Sequence, residues 1–139
     1  MEVVRAGFIG AGRISDLHAI EYLQHPRARI AAVCDANPAI AAAQAARWGV
    51  PSHRVFTDYH QLLACDDIDL VDVLLPHDLH FPVALAAIEA GKHVSLQKPM
   101  THTVAEAEQL IAAAKRRKVR FRVFENFIFY PPIVVPLKR

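Results

Sequence analysis

Two glycines and a serine lie where a short apolar run gives way to a helical pattern. The stretch GFIGAGRIS (7–15) has the form G-x-G-x-x-S at Gly10, Gly12 and Ser15. Gly10 permits a tight turn, Gly12 lets the backbone approach a pyrophosphate, and the small Ser15 allows a helix to pack closely on a sheet. Such a loop between a strand and a helix predicts a dinucleotide-binding site.

The start of the following helix and one acidic residue complete this predicted site. Arg13 and Ile14 open the helix, where free N–H groups and the positive end of the dipole attract phosphate. Asp35 follows the second apolar run, 23 residues after Gly12, close to the roughly 20 at which an acid binds the adenosine ribose hydroxyls. A helix cap is the alternative role for Asp35. Because a carboxylate repels a 2′-phosphate, we expect NAD as the cofactor, with NADP as a second candidate since Arg13 lies nearby.

A second group of polar residues follows two later apolar runs. Pro76, His77 and His80 come after LVDVLL, and Lys98 comes after HVSLQ. Ligands of open α/β sheets bind at the carboxyl ends of the strands, so these residues are expected on the nicotinamide side. A lysine there can orient a substrate hydroxyl or carbonyl, and a solvated loop lysine is the alternative. His77 and His80 have no third partner in the pattern, so no metal site is predicted.

Short apolar runs alternate with helical patterns along the chain. Strands are predicted at 3–9, 29–34, 55–56, 70–75, 93–97 and 120–126, and helices at 13–24, 37–49, 58–64, 81–90 and 103–118. Apolar residues recur at helical spacing at Ile14, Leu17, Ile20 and Leu23, and again at Val104, Ala107, Ile111 and Ala114. Strands separated by helices indicate βαβ units. The predicted fold class is α/β, a Rossmann-type doubly wound parallel sheet in a single domain.

Domain organisation and charge narrow the function further. Residues 1–126 are predicted to form the dinucleotide-binding domain, and 127–139 a tail or the start of a second domain. Residues 1–114 carry a net charge of −5 and residues 115–139 one of +7. The basic run KRRKVRFR suits either a nucleic-acid or membrane-surface patch or a helix with a cationic last turn. Nothing else in the chain supports nucleic acid, so we favour the helix.

Composition and cysteine usage exclude other classes. The chain of 139 residues is 53% hydrophobic and 22% charged, which argues against global disorder. No apolar run reaches the roughly 18–20 residues of a membrane span. The N-terminus shows no secretory signal, and Cys34 and Cys65 have no disulfide or metal spacing. Reduced thiols in the cytoplasm are the simpler interpretation.

An ordered set of stretches resembles a known family. GFIGAGRIS, CDANP, TDYHQLL, DIDLVDVLLPHDLH and AIEAGKHVSLQKPM resemble the N-terminal domain of the glucose–fructose oxidoreductase/inositol dehydrogenase (Gfo/Idh/MocA) family over nearly the whole chain. The most specific part, AGKHVSLQKP, is similar to the family's A-G-K-H-V-x-x-E-K-P. The resemblance implies that Lys98 lies on the substrate and nicotinamide side. It also implies hydride transfer between a nicotinamide cofactor and an alcohol carbon of a small sugar- or polyol-like substrate.

The chain departs from this family in two ways. Gln97, on the cofactor side, stands where the family has glutamate, so a carboxylate able to pair with lysine is replaced by an amide. The family continues into a second α/β domain, which supplies most of the substrate pocket and the sheet used to dimerise, and these residues contain no such segment. We therefore expect weak activity or none from this chain alone, and homo-oligomers formed through the last strand and the apolar tail.

Two other functions fit part of the pattern. A non-catalytic dinucleotide sensor or interaction module needs no second domain, whereas Lys98 favours descent from an enzyme. A methyltransferase that uses S-adenosylmethionine also has a glycine loop and an acid after the second strand. The QKP and HDLH stretches have no role in such a methyltransferase.

Overall fold

The computed structural model describes residues 2–124, in which six strands alternate with five helices. The strands are β1 (Val4–Ile9), β2 (Ala28–Cys34), β3 (Val55–Phe56), β4 (Leu70–Val73), β5 (His93–Gln97) and β6 (Phe121–Phe124). The helices are α1 (Arg13–Gln24), α2 (Pro38–Trp48), α3 (Tyr59–Leu63), α4 (His80–Glu89) and α5 (Val104–Arg117). All strands pair in parallel in the order β3-β2-β1-β4-β5-β6. This doubly wound order confirms the predicted fold class.

Local signals start and end the helices as the sequence predicts. The Asn37 side chain accepts hydrogen bonds from two N–H groups of the first turn of α2, Pro38 follows it, and Gly49 ends the helix with a left-handed φ of 74°. At α5 the Thr103 hydroxyl accepts the Glu106 N–H at 3.1 Å. The Glu106 carboxylate in turn accepts a hydrogen bond from the Thr103 hydroxyl.

The core has two halves, one on each face of the sheet. Phe8 packs with Trp48 and Tyr22 on one face, with ring centroids 5.1 Å apart in each pair. The next residue, Ile9, points to the other face and joins a cluster with Leu96, because successive side chains of a strand alternate. Both faces of β1 are therefore buried, and the strand holds the loop that follows it rigidly.

The apolar residues at helical spacing on α1 and α5 are only partly buried. On α1, Leu17, Ile20 and Leu23 are 64%, 47% and 53% exposed, and Val104 and Ile111 of α5 are also exposed. The fully buried residues of the two helices are Ser15, His18, Ala19, Leu110, Ala113 and Ala114, of which Ala114 alone belongs to the predicted spacing. Most of these buried side chains are small, which lets both helices approach the sheet closely. The spacing predicted the two helices correctly.

The basic run of the sequence begins in the last turn of α5. Lys115, Arg116 and Arg117 form the cationic last turn of α5, and Arg116 pairs with Glu89 of α4.

None of the helices in the described part of the chain has the length and apolar composition needed to cross a bilayer. The strand predicted at 70–75 ends earlier, at Val73. The tail 127–139 and the last two residues of the strand predicted at 120–126 lie outside the described residues.

Candidate dinucleotide site

The glycine-rich loop leaves β1 through a turn that only glycine can make. Gly10 has a φ of +98°, and a Cβ there would lie 2.2 Å from the carbonyl oxygen of Leu74. The Gly10 N–H donates to the Cys34 carbonyl at 2.8 Å. Gly10 is therefore required by the fold itself, because any side chain would meet the backbone that follows β4.

No contact among residues 2–124 requires a glycine at position 12. Its φ of −72° suits any residue, and a Cβ at this position would meet no atom within 4 Å. Gly12 is exposed at the N-terminus of α1, and no side chain of residues 2–124 caps this helix. Free N–H groups beside open space suit a phosphate group. The residues present therefore fit a dinucleotide pyrophosphate, with Arg13 exposed beside it.

Asp35 lies at the same edge of the sheet and is bonded to the loop. Its Oδ2 accepts the Ala11 N–H at 2.9 Å and its Oδ1 accepts the Asn37 N–H at 2.9 Å. The half-buried carboxylate is thereby oriented, and each oxygen keeps capacity for a further donor such as a ribose hydroxyl. The alternative role as the cap of α2 belongs to Asn37.

Cys34 immediately precedes this carboxylate. The thiol is 3% exposed, and burial together with the neighbouring charges of Asp35 and Asp58 raises its pKa to about 11. A thiol in this state is protonated at neutral pH and inert as a nucleophile.

The predicted nicotinamide-side residues divide into exposed and buried ones. Pro76 and His77 are exposed in the turn that follows β4, and Lys98 is exposed after β5. Gln97 Oε1 accepts the Lys98 N–H at 2.9 Å, and the Lys98–Pro99 peptide is cis. Within residues 2–124 no acidic side chain pairs with Lys98, so its ammonium group faces solvent at this edge.

His80 does not border the cleft as the sequence suggested. Its ring is completely buried at the start of α4. Nδ1 lies 2.6 Å from the carbonyl oxygen of Pro99, and Nε2 lies 2.9 Å from that of Leu75. The ring therefore ties the loop after β4 to the loop that carries Lys98, and it is a positioning group, inaccessible to a ligand.

Ile14 lies in the first turn of α1, as the sequence predicts. Its side chain lines a groove of about 520 Å³ on the sheet face beside α1, together with His18, Tyr22 and Phe124 among others. Only the backbone N–H of Ile14, in the first turn of α1, is available to the predicted phosphate site.

The floor of this groove holds a polar group that sequence reasoning missed. Asp72 of β4 accepts a hydrogen bond from the Tyr22 hydroxyl at 3.4 Å and lies 2.9 Å from His18 Nδ1. Burial and the Asp72 charge raise the Tyr22 pKa well above its ordinary value. His18 Nε2 and Asp72 Oδ1 are buried without a hydrogen-bond partner among the described residues. An acid inside the apolar run LVDVLL was the available signal.

The fold and the edge residues together define a class of protein. A parallel sheet with a glycine loop at its topological switch point and an acid after β2 is the architecture of a dinucleotide-binding Rossmann domain. The chain belongs to the Gfo/Idh/MocA family, an oxidoreductase family with an NAD-binding Rossmann fold, whose profile matches residues 4–125. The resemblance seen in the sequence is thus confirmed.

Three known proteins are similar to this chain. The chain is 34% identical to the α-N-acetylgalactosaminidase of Shewanella oneidensis, over 91% of this chain and 29% of that protein. It is 31% identical to the WlbA dehydrogenase of Bordetella pertussis, solved with NADH and UDP-GlcNAcA, with a TM-score of 0.82 over 88% of this chain and 38% of that one. It is 30% identical to KijD10, a 3-ketoreductase of Actinomadura kijaniata solved with NADP, with a TM-score of 0.84 over 94% of this chain and 41% of that one. The chain therefore spans well under half the length of these relatives.

Proposed function

We propose that this chain is the NAD-binding part of an enzyme that transfers hydride between a nicotinamide cofactor and an alcohol carbon of a sugar or polyol. The observation that carries the proposal is the open space at Gly12, where no atom lies within 4 Å of a Cβ position at the uncapped start of α1. A glycine that the fold does not need is explained by a ligand that must approach the backbone.

Each edge residue has a role in this proposal. Gly10 shapes the turn, Gly12 and Arg13 border the pyrophosphate, and Asp35 accepts the adenosine ribose hydroxyls. A bound nicotinamide would supply the hydride chemistry. Lys98 would hold the substrate oxygen with its exposed ammonium group.

Pro76, His77 and Gln97 would line the nicotinamide side, while buried His80 keeps the Lys98 loop in place. The sugar class of the substrate is supported by the similar proteins, one solved with UDP-GlcNAcA and another named for N-acetylgalactosamine. The parts of those proteins that extend beyond this chain would complete the substrate pocket.

A second candidate function is sugar hydrolysis by the same kind of NAD domain. The 34% identity to an α-N-acetylgalactosaminidase favours it, and glycosidases that depend on NAD exist. A protein containing this chain would then release sugar without accumulating NADH, whereas a dehydrogenase would accumulate it. A non-catalytic sensor gains no support, because all three similar proteins are named as enzymes.

Assembly and location are part of the same proposal. Exposed Leu17 of α1 lines the groove together with Phe124, the last described residue, and Ile20 and Leu23 of the same helix are also exposed. A homo-oligomer formed through this region would cover them. The two free thiols, Cys34 and Cys65, suit the cytoplasm.

Titration of the 139-residue chain with NADH and NADPH tests the cofactor assignment. We expect saturable binding of NADH and an affinity for NADPH at least about tenfold lower, or about 1.4 kcal/mol, because Asp35 repels the 2′-phosphate. The measurement is quenching of Trp48 fluorescence, checked by calorimetry. Failure to bind either cofactor would contradict the proposed function, and equal binding of both would contradict only the preference.

Two variants serve as controls for this titration. Asp35→Asn keeps an oxygen for the Ala11 N–H but removes the charge, so it should narrow the difference between the cofactors. Lys98→Ala should leave NADH affinity within a few-fold of the original, because the ammonium group faces the substrate. A large loss of NADH affinity in Lys98→Ala would make this lysine a cofactor residue.

A further inference from the structure

Gln44 of α2 is a long polar side chain that the fold has removed from solvent. It is 7% exposed, and the other buried residues of α2 are Ala41, Ala45 and Trp48. A buried amide is retained at little cost only where its donors and acceptor find partners. The partners of Gln44 all belong to the start of α1, to the loop before it, or to its own helix.

The amide of Gln44 is oriented from both ends. Arg47 Nη1 donates to Gln44 Oε1 at 2.9 Å, and the same nitrogen lies 3.0 Å from Asp16 Oδ1. The Nε2 group then faces the loop, where it donates to the Ala11 carbonyl at 3.2 Å. Asp16 Oδ1 and Ser15 Oγ lie 3.2 and 3.4 Å from the same Nε2.

Ala11 is consequently held on both sides of its Cα. Its N–H donates to Asp35 Oδ2, which fixes the peptide plane between Gly10 and Ala11. Its C=O accepts from Gln44, which fixes the peptide plane between Ala11 and Gly12. Glycines on either side of a residue would otherwise leave these planes free to rotate.

The second of these planes carries the N–H of Gly12. The Ala11–Gly12 peptide is trans, so its C=O and N–H point in opposite directions. Because the carbonyl points inward to the buried Gln44 amide, the Gly12 N–H points away from it. Gly12 itself is exposed and has open space around it.

We infer that Gln44 is a positioning residue for the pyrophosphate: it holds the Ala11 carbonyl and so directs the Gly12 N–H at the phosphate oxygens. The inference rests on the proposed function, since it needs a dinucleotide at this loop. It adds a residue of α2, outside the glycine pattern, to the determinants of cofactor affinity. Arg47 contributes indirectly, by holding the orientation of the amide.

The test compares ligands with and without a pyrophosphate. Gln44→Met keeps the length of the side chain and removes its hydrogen bonds, and Gln61→Met is the matched control on the exposed surface of α3. We expect Gln44→Met to weaken NADH and ADP-ribose binding about tenfold, and AMP binding, followed by NMR titration, by less than about twofold. Gln61→Met should change none of these affinities.

A structural role alone would give a different pattern. If Gln44 only supported packing, the affinities for NADH and AMP would fall together, in parallel with the melting temperature. That result, or unchanged NADH binding in a folded Gln44→Met, would overturn the inference. Failure of the unaltered chain to bind any dinucleotide would instead overturn the proposed function.

A surface variant keeps the inference testable if Gln44→Met does not fold. Arg47→Ala removes an exposed side chain from a helix that tolerates alanine, and it frees the Gln44 amide to rotate. We expect it to weaken NADH and ADP-ribose about two- to threefold while leaving AMP unchanged. If Arg47→Ala bound each of the three ligands as tightly as the unaltered chain does, the inference would be overturned by this route.

Discussion

The edge of the sheet at the glycine loop and the groove beside α1 are built in opposite ways. At the edge, the polar groups of Ala11, Asp35 and Gln44 are paired with one another. In the groove, His18 Nε2 and Asp72 Oδ1 are buried without partners among the described residues. A buried polar atom without a partner costs about 1–3 kcal/mol. The described residues therefore satisfy the hydrogen-bonding groups at the edge, but they leave two buried polar atoms of the groove without a hydrogen bond.

The two regions also differ in the apolar surface that they expose. The glycine loop exposes backbone, which a polar ligand can bind. Beside the groove, α1 exposes apolar side chains instead: Leu17, which lines the groove, and Ile20 and Leu23 farther along the helix are all about half exposed or more. At the cofactor edge, therefore, the polar groups that hold the loop in place all belong to this part of the chain. The groove has the composition of a face that another surface covers.

The largest effect should separate the two glycines of the loop. Gly12→Val should lower NADH affinity more than about 100-fold, or about 2.7 kcal/mol, because its side chain fills the phosphate's approach. Its free energy of unfolding should change by less than about 1 kcal/mol, since nothing lies near the new side chain. Calorimetry and urea denaturation measure the two quantities.

Gly10→Ala is the matched contrast. Its Cβ would collide with the Leu74 carbonyl in a left-handed conformation, so unfolding free energy should fall by about 3 kcal/mol or more. If Gly12→Val destabilised the fold as much as Gly10→Ala, Gly12 would be a structural glycine and the proposed function would lose its main support.

The elements and the loop could be predicted because their signals are local. Asn37, Pro38 and Gly49 bound α2 through contacts within a few residues, and the glycine pattern is read from nine consecutive positions. The site residues Gly10, Gly12 and Asp35 follow from that pattern and from the order of strands.

What could not be predicted depends on contacts between distant segments. His80 is buried because its ring lies between carbonyls 5 residues before and 19 residues after it in the chain. The exposure of Leu17 follows from the small Ser15 and Ala19, which let the opposite face of α1 pack on the sheet. Periodicity predicts a helix, but it does not indicate which surface will cover each face.

The exposed apolar residues of α1 should govern self-association, and substituting them should leave the cofactor site unchanged. We expect the chain to form oligomers as its concentration rises, measured by light scattering, and the triple variant Leu17→Lys, Ile20→Lys, Leu23→Lys to be monomeric. Its NADH affinity should be unchanged, because none of the three lies in the glycine loop. Exposed positions such as these change the free energy of unfolding by about 0.5 kcal/mol or less.

Val104→Lys with Ile111→Lys provides the control for this variant. Both residues are exposed apolar positions on α5, and neither lines the groove. This double variant should associate as the unaltered chain does. A strictly monomeric mass of the unaltered chain at high concentration would contradict the predicted self-association, and loss of association in both variants would show that the exposed residues of α1 have no special role.

The smallest expected effect is a loss of folding stability at alkaline pH, which should begin at a different pH in each of the two regions. The pKa of Cys34, at the cofactor edge, is raised from its ordinary 9.0 to about 11. The folded thiol thus keeps its proton where the unfolded chain releases it, so its contribution to stability is full below pH 9 and is lost between pH 9 and 11. The loss is on the order of 2 kcal/mol.

The stabilisation by Tyr22, in the groove, is also lost as the pH rises, but the loss begins at a higher pH. Its pKa is raised above an ordinary value of 10.0, so its stabilisation is lost only above pH 10. In urea denaturation, Cys34→Ala should therefore lose less stability than the unaltered chain between pH 9 and 10, whereas Tyr22→Phe should lose as much there and less above pH 10. If Tyr22→Phe, and not Cys34→Ala, removed the loss between pH 9 and 10, the groove would be the alkali-sensitive region and the assignment to the cofactor edge would be wrong.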